Sequence, residues 1–81
     1  MVQVLFAPDM RIASGGIESA EIEADNYRQA VRELKRLYPG LTDEVFEKCS
    51  VAIDGLMITS PLLEALEPDS ELVFVPRITG G

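Results

Sequence analysis

The sequence predicts a two-layer α+β domain, a mixed β-sheet with one main helix packed on one face. Three observations carry that prediction. The chain opens and closes on apolar, β-prone runs, "VQVLFA" and "ELVFVP". Between them, one segment repeats its apolar residues at three- and four-residue steps from Tyr27 to Tyr38. Two further short apolar runs, "SVAI" and "LMIT", flank Asp54-Gly55, a strong hairpin signal. A sheet and a single amphipathic helix satisfy each other when the helix lies across the sheet.

The elements follow in order. In the first run Val2, Val4 and Phe6 point to one side of a strand, and Gln3 and Leu5 to the other. Pro8 ends it, and "DMRIASGG" is expected to form a polar bend closed by Gly15-Gly16. "IESAEIEA" alternates, with Ala20, Ile22 and Ala24 opposite Ser19, Glu21 and Glu23, as a half-exposed strand does. The first two strands thus read as a hairpin with a longer loop.

The helix stripe is Tyr27, Ala30, Val31, Leu34, Leu37 and Tyr38. Asn26 caps it, with Gln29 placed to complete a capping box; Asp25 is the rival cap. Lys35 and Arg36 suit the negative end of the dipole, and Pro39-Gly40 stops the helix. Leu41, Val45 and Phe46 outline a short amphipathic turn, and Ser60-Pro61 opens another short helical turn. Pro76 bounds the last strand. The expected core between helix and central strands is Val4, Phe6, Val31, Leu34, Val73 and Val75.

The first and last strands are the most apolar, which places them side by side and parallel at the sheet centre, with the helix crossing over them. That is the β-grasp arrangement, the ubiquitin-like roll. Residues 1–76 form the domain, and residues 77–81 a flexible tail leaving a central strand.

Composition narrows the function. At 81 residues the chain is one small domain. It has 14 acidic against 7 basic residues, a net charge of −7, which disfavours nucleic acid and suits a partner with a basic face. It has no apolar stretch long enough for a membrane span and no basic-then-apolar leader. With Cys49 as its one cysteine, an internal disulfide is impossible, and a cytoplasmic setting is expected.

Familiar active-site chemistry is poorly supplied. The chain has no histidine, so Cys49 lacks the usual base partner and reads as a small core residue. No zinc spacing is present, and Gly15-Gly16 lacks the phosphate-loop pattern. The acidic stretch "ESAEIEAD" is scattered by strand geometry into a solvated face, so no metal site is expected. What remains is the end, "FVPRITGG".

The chain resembles the small subunit of molybdopterin synthase, in the family that also holds the thiamin-type ubiquitin-like sulfur carriers. The resemblance spans the chain and rests on "VQVLFA", "AVRELKRLYPGL", "VAIDGLMI" and "DSELVFVPRITGG". Asp54 stands where that family often carries Asn, and Arg77 where a second proline is common. The resemblance implies that an adenylating enzyme uses ATP to activate the Gly81 carboxylate. A sulfur donor system then converts it to a thiocarboxylate, which donates sulfur inside a large-subunit or other acceptor enzyme. The chain would be not catalytic alone, and would bind no cofactor tightly.

The resemblance also implies a partner face beside the tail, expected to include Phe6 or Phe74. Residues Pro76, Arg77, Ile78, Thr79 and Gly80 would lead Gly81 into the partner's channel. Five extended residues reach roughly 16–18 Å, and glycines lacking Cβ pass a narrow space. Two alternatives stay open: a carrier for thiamin or another sulfur product, and a ubiquitin-like interaction or conjugation module.

Overall fold

The computed structural model describes residues 1–59 and 61–77. It contains β1 (Val2–Leu5), α1 (Pro8–Ala13), β2 (Ser19–Ile22), α2 (Tyr27–Leu37) and α3 (Asp43–Glu47). Then come β3 (Cys49–Ile53), β4 (Leu56–Ile58), a 3-10 turn (Pro61–Leu63) and β5 (Glu71–Pro76). The five strands form one mixed sheet in the order β2-β1-β5-β3-β4. β1 and β5 are parallel neighbours at its centre, Val4 opposite Leu72, and the other pairings are antiparallel. This is the β-grasp arrangement expected from the sequence.

The core lies between the sheet and α2. β1 contributes Val2 and Val4, β2 contributes Ile22, and α2 contributes Tyr27, Ala30 and Leu34, all buried. Val31 and Tyr38 pack at its margin, while Leu37 is exposed and leaves the stripe. Asn26 does cap α2, its Oδ1 accepting from the Gln29 N–H at 2.8 Å. Gln29 reaches back one residue further than a capping box requires, accepting from the Asp25 N–H at 2.9 Å.

Three expectations need correction. The segment "DMRIASGG" is no simple bend, because α1 occupies its first five residues and buries Met10 completely. The signals were present: Pro8 at the first helical position, Asp9 in the first turn, and Ala7 and Met10 three residues apart. The glycines that follow do have positive φ, +82° at Gly15 and +102° at Gly16.

The second correction is the face of β5. Leu72 and Phe74 point into the core, whereas Val73 and Val75 are half-buried on the opposite, open face. Both alternating sets are apolar, so periodicity could not choose; the register with β1 does, because Val4 faces inward and Leu72 is its partner. The strand ends at Pro76 as expected; the third correction concerns Arg77, expected from the sequence to leave the fold at that point. Pro76 is paired within β5, opposite Cys49, and the Arg77 N–H still donates to the Lys48 carbonyl at 2.9 Å. The backbone is therefore still tied to the fold at Arg77, one residue past the end of β5.

Candidate functional site

The candidate site is the C-terminal end of β5 and the sheet face beside it. β5 is positioned on both sides, by β1 and by β3, so the chain leaves a strand that cannot shift independently of the sheet. Pro76 and Arg77 are exposed at that end. Ile78, Thr79, Gly80 and Gly81, the other residues assigned to the tail, lie outside the described residues.

Phe6 and Phe74 do not form an exposed patch. Their relative exposures are 2% and 4%. Phe6 meets Tyr38 edge-on at 5.7 Å, and Phe74 packs between Phe46 at 5.7 Å and Tyr27 at 6.2 Å. Both rings therefore serve the core, because their strand positions share parity with Val4 and Leu72. The residues that do face outward beside the tail are Leu5, Val73 and Val75. The register sets them in a row that runs Ser19, Leu5, Val73, Ala52, Met57 across all five strands. Val75 lies one step nearer the tail, opposite Ser50. An outward Leu5 was legible from the alternation of β1; the outward valines of β5 were not.

Charge is graded along that face. One step further from the tail lies the row Glu21, Gln3, Glu71. Thus the apolar patch next to the chain exit is bordered by carboxylates on its far side. Such a surface fits a partner with an apolar centre and a basic rim.

On the helix side of the sheet, a cleft of ≈ 710 Å³ opens between α2, α3 and the β3–β4 hairpin. Tyr27, Phe46, Cys49, Ile58, Leu62 and Arg77 are among its walls. Burial pushes the Tyr27 phenol up to about 12, with Cys49 adding to the shift and Arg77 opposing it. Burial likewise pushes the Cys49 thiol up, Asp9 adding and Arg77 again opposing. A thiol held in its protonated form is a poor nucleophile, which agrees with a packing role for Cys49. Among the described residues there is no cluster of side chains able to hold a metal ion. None of the described helices is long and apolar enough to cross a membrane.

No family model and no curated relative matches the chain. Solved structures do. A chain of the Amycolatopsis orientalis BexX/CysO complex is 17% identical with a TM-score of 0.80, covering 100% of both chains. Mycobacterium tuberculosis CysO, described as an antigen, is 15% identical with a TM-score of 0.84, covering 96% of this chain and 100% of that one. A chain from the complex of subunits 1 and 2 of the Helicobacter pylori molybdopterin-converting factor is 22% identical with a TM-score of 0.63. That match covers 99% of this chain and 97% of that one. At these identities the likeness establishes the fold.

Proposed function

We propose that this protein is a ubiquitin-like sulfur carrier, and specifically the small subunit of a molybdopterin synthase. One observation carries the reading: the segment ending in Gly80-Gly81 follows a central strand of a β-grasp sheet, anchored through Arg77. The structural likeness to a molybdopterin-converting factor subunit supports it, as does the poor supply of catalytic side chains elsewhere.

The chemistry belongs to the Gly81 carboxylate. A carboxylate oxygen attacks the α-phosphate of ATP on an activating enzyme, releasing pyrophosphate and leaving an acyl-adenylate. A sulfur nucleophile at the oxidation level of hydrosulfide, delivered by a donor system, then forms a C–S bond as AMP departs. The product is a thiocarboxylate, whose sulfur is nucleophilic near neutral pH. The acceptor enzyme, here the large subunit, supplies the site where that sulfur is used. This chain's part is to present the terminus and to dock, through Leu5, Val73 and Val75, with both partners in turn.

The stronger structural likeness to the CysO chains favours a second reading within the same chemistry, a carrier serving a different sulfur-containing product. Pyrophosphate exchange with the cognate activating enzyme tests the common part. Native protein is expected to support exchange, while deletion of Gly81, or one residue added after it, abolishes exchange without changing the melting curve. Equal exchange by both variants and the native chain would overturn the carrier reading. Sulfur transfer from thiocarboxylated protein to a pterin precursor, in the presence of the large subunit, separates the two acceptors.

A further inference from the structure

We propose that the free edge of β4 pairs with β4 of a second copy, antiparallel, about a two-fold axis passing beside Met57. The inference is independent of the sulfur chemistry.

β4 ends the sheet, with β3 on one side only. Ile53 and Leu56 flank the two-residue turn Asp54-Gly55, and Met57 is paired opposite Ala52. In a two-residue hairpin the pair next to the turn exchanges both hydrogen bonds, and the following pair turns its amide and carbonyl away from its partner. The outward backbone groups of β4 are therefore the N–H and C=O of Met57. One donor and one acceptor on the same residue are self-complementary under a two-fold: each Met57 N–H meets the other copy's Met57 carbonyl.

The side chains favour the same partner. Among the described residues, four of the eight exposed large hydrophobics fall within positions 56–63: Leu56 at 66%, Met57 at 56%, Leu62 at 61% and Leu63 at 89% exposure. Positions 55–63 carry no charge, in a chain whose net charge is −7. Two acidic copies repel, and they meet with least like-charge repulsion where neither presents a carboxylate. A basic partner, by contrast, finds no counter-charge there. The opposite edge of the sheet, β2, carries Glu21 and is flanked by Glu18 and Glu23, a protected edge. β4 has no such charge, no proline and no bulge. A strand of three residues falls short of the roughly 800 Å² per partner of a standard interface, so the dimer is weak and concentration-dependent.

Sedimentation velocity from micromolar to near-millimolar protein tests this, with Met57→Glu and Met57→Lys variants beside the native chain. The native protein is expected to shift from monomer to dimer, more readily as salt screens its charge. Each variant alone is expected to stay monomeric with an unchanged melting curve, because Met57 is exposed. An equimolar mixture of the two is expected to dimerise, since opposite charges then face each other across the axis. A native chain that stays monomeric at every concentration, or a dimer that persists in both variants alone, would overturn the proposal. So would a monomer whose Met57 amide gains exchange protection only from a different protein, which would assign the edge to that partner.

Discussion

Asp54 does more than turn the β3–β4 hairpin. It sits at φ +50°, a left-handed conformation that Asp and Asn tolerate better than most residues. Its Oδ1 accepts from the Glu71 N–H at 2.8 Å and its Oδ2 from the Ser70 hydroxyl at 2.9 Å. Ser70, itself buried, accepts in turn from the Glu67 N–H at 2.8 Å. The carboxylate thus fixes the start of β5 to the hairpin. Asp54→Ala is expected to cost about 1–3 kcal/mol, read as a lowered urea midpoint. Asp54→Asn keeps the turn and one acceptor and should recover most of the loss. An unchanged midpoint in the alanine variant would mean the network is incidental.

Two aromatic residues give further tests at the same scale. Phe74→Ala is expected to cost about 3–5 kcal/mol, the range for a buried ring, whereas Val73→Lys on the open face should leave folding intact and weaken partner binding. Burial pushes the Tyr27 phenol up to about 12 in the folded protein, from the 10.0 of a solvated tyrosine. The folded state therefore holds the phenolic proton more tightly, so this stabilisation is complete below pH 10 and is lost as pH rises towards 12. Denaturation midpoints of native protein and Tyr27→Phe should diverge across that window, with the native chain falling more steeply. Parallel curves would show that the phenol is not the group responsible.

At the scale of elements, α1 and the exit of α2 lock together at Gly40. A Cβ at Gly40 would overlap the carbonyl oxygen of Ala13, the last residue of α1, with the carbonyl carbon 3.1 Å away. Backbone cannot swing aside as a side-chain tip can. Gly40→Ala is expected to cost about 1–3 kcal/mol. It should also speed exchange of the Ser14 amide, which donates to Met10 at 2.9 Å at the end of α1. Leu34, fully buried on α2 against the sheet, is the matching test of the helix. Leu34→Ala is expected to cost about 2–5 kcal/mol, and a melting curve barely moved would mean the helix face is misassigned.

For the molecule as a whole, charge and apolar surface divide the work. Glu18, Glu21, Glu23, Glu64, Glu67, Asp69 and Glu71 are all exposed, while Leu5, Val73 and Val75 give the apolar centre beside the tail. Association with a basic partner should therefore slow as salt rises, because screening acts over about 10 Å at 0.1 M, while the apolar contacts hold the dissociation rate nearly constant. Stopped-flow binding at several ionic strengths checks this. An association rate indifferent to salt would leave the acidity to solubility alone.

The sequence by itself determined the fold and its central pair of strands. Alternation in β1 and β2, the stripe of α2 and the Asp54-Gly55 turn are local signals, and each specifies its element without knowledge of its neighbours. The composition also limited the chemistry, since a chain with no histidine and one cysteine has few side-chain nucleophiles or bases wherever it folds. Tertiary structure alone decided the facing of β5, because Leu72, Val73, Phe74 and Val75 are all apolar and only pairing with β1 breaks the tie. That one choice moved Phe74 into the core and Val73 and Val75 onto the open face. It also decided that Arg77 stays bonded to the Lys48 carbonyl past the end of β5, since a proline lacks only its own N–H and leaves the next residue free to donate. α1 fell between the two: its signals are in the sequence, but a helix of six residues is marginal alone and exists because Met10 finds a core to enter.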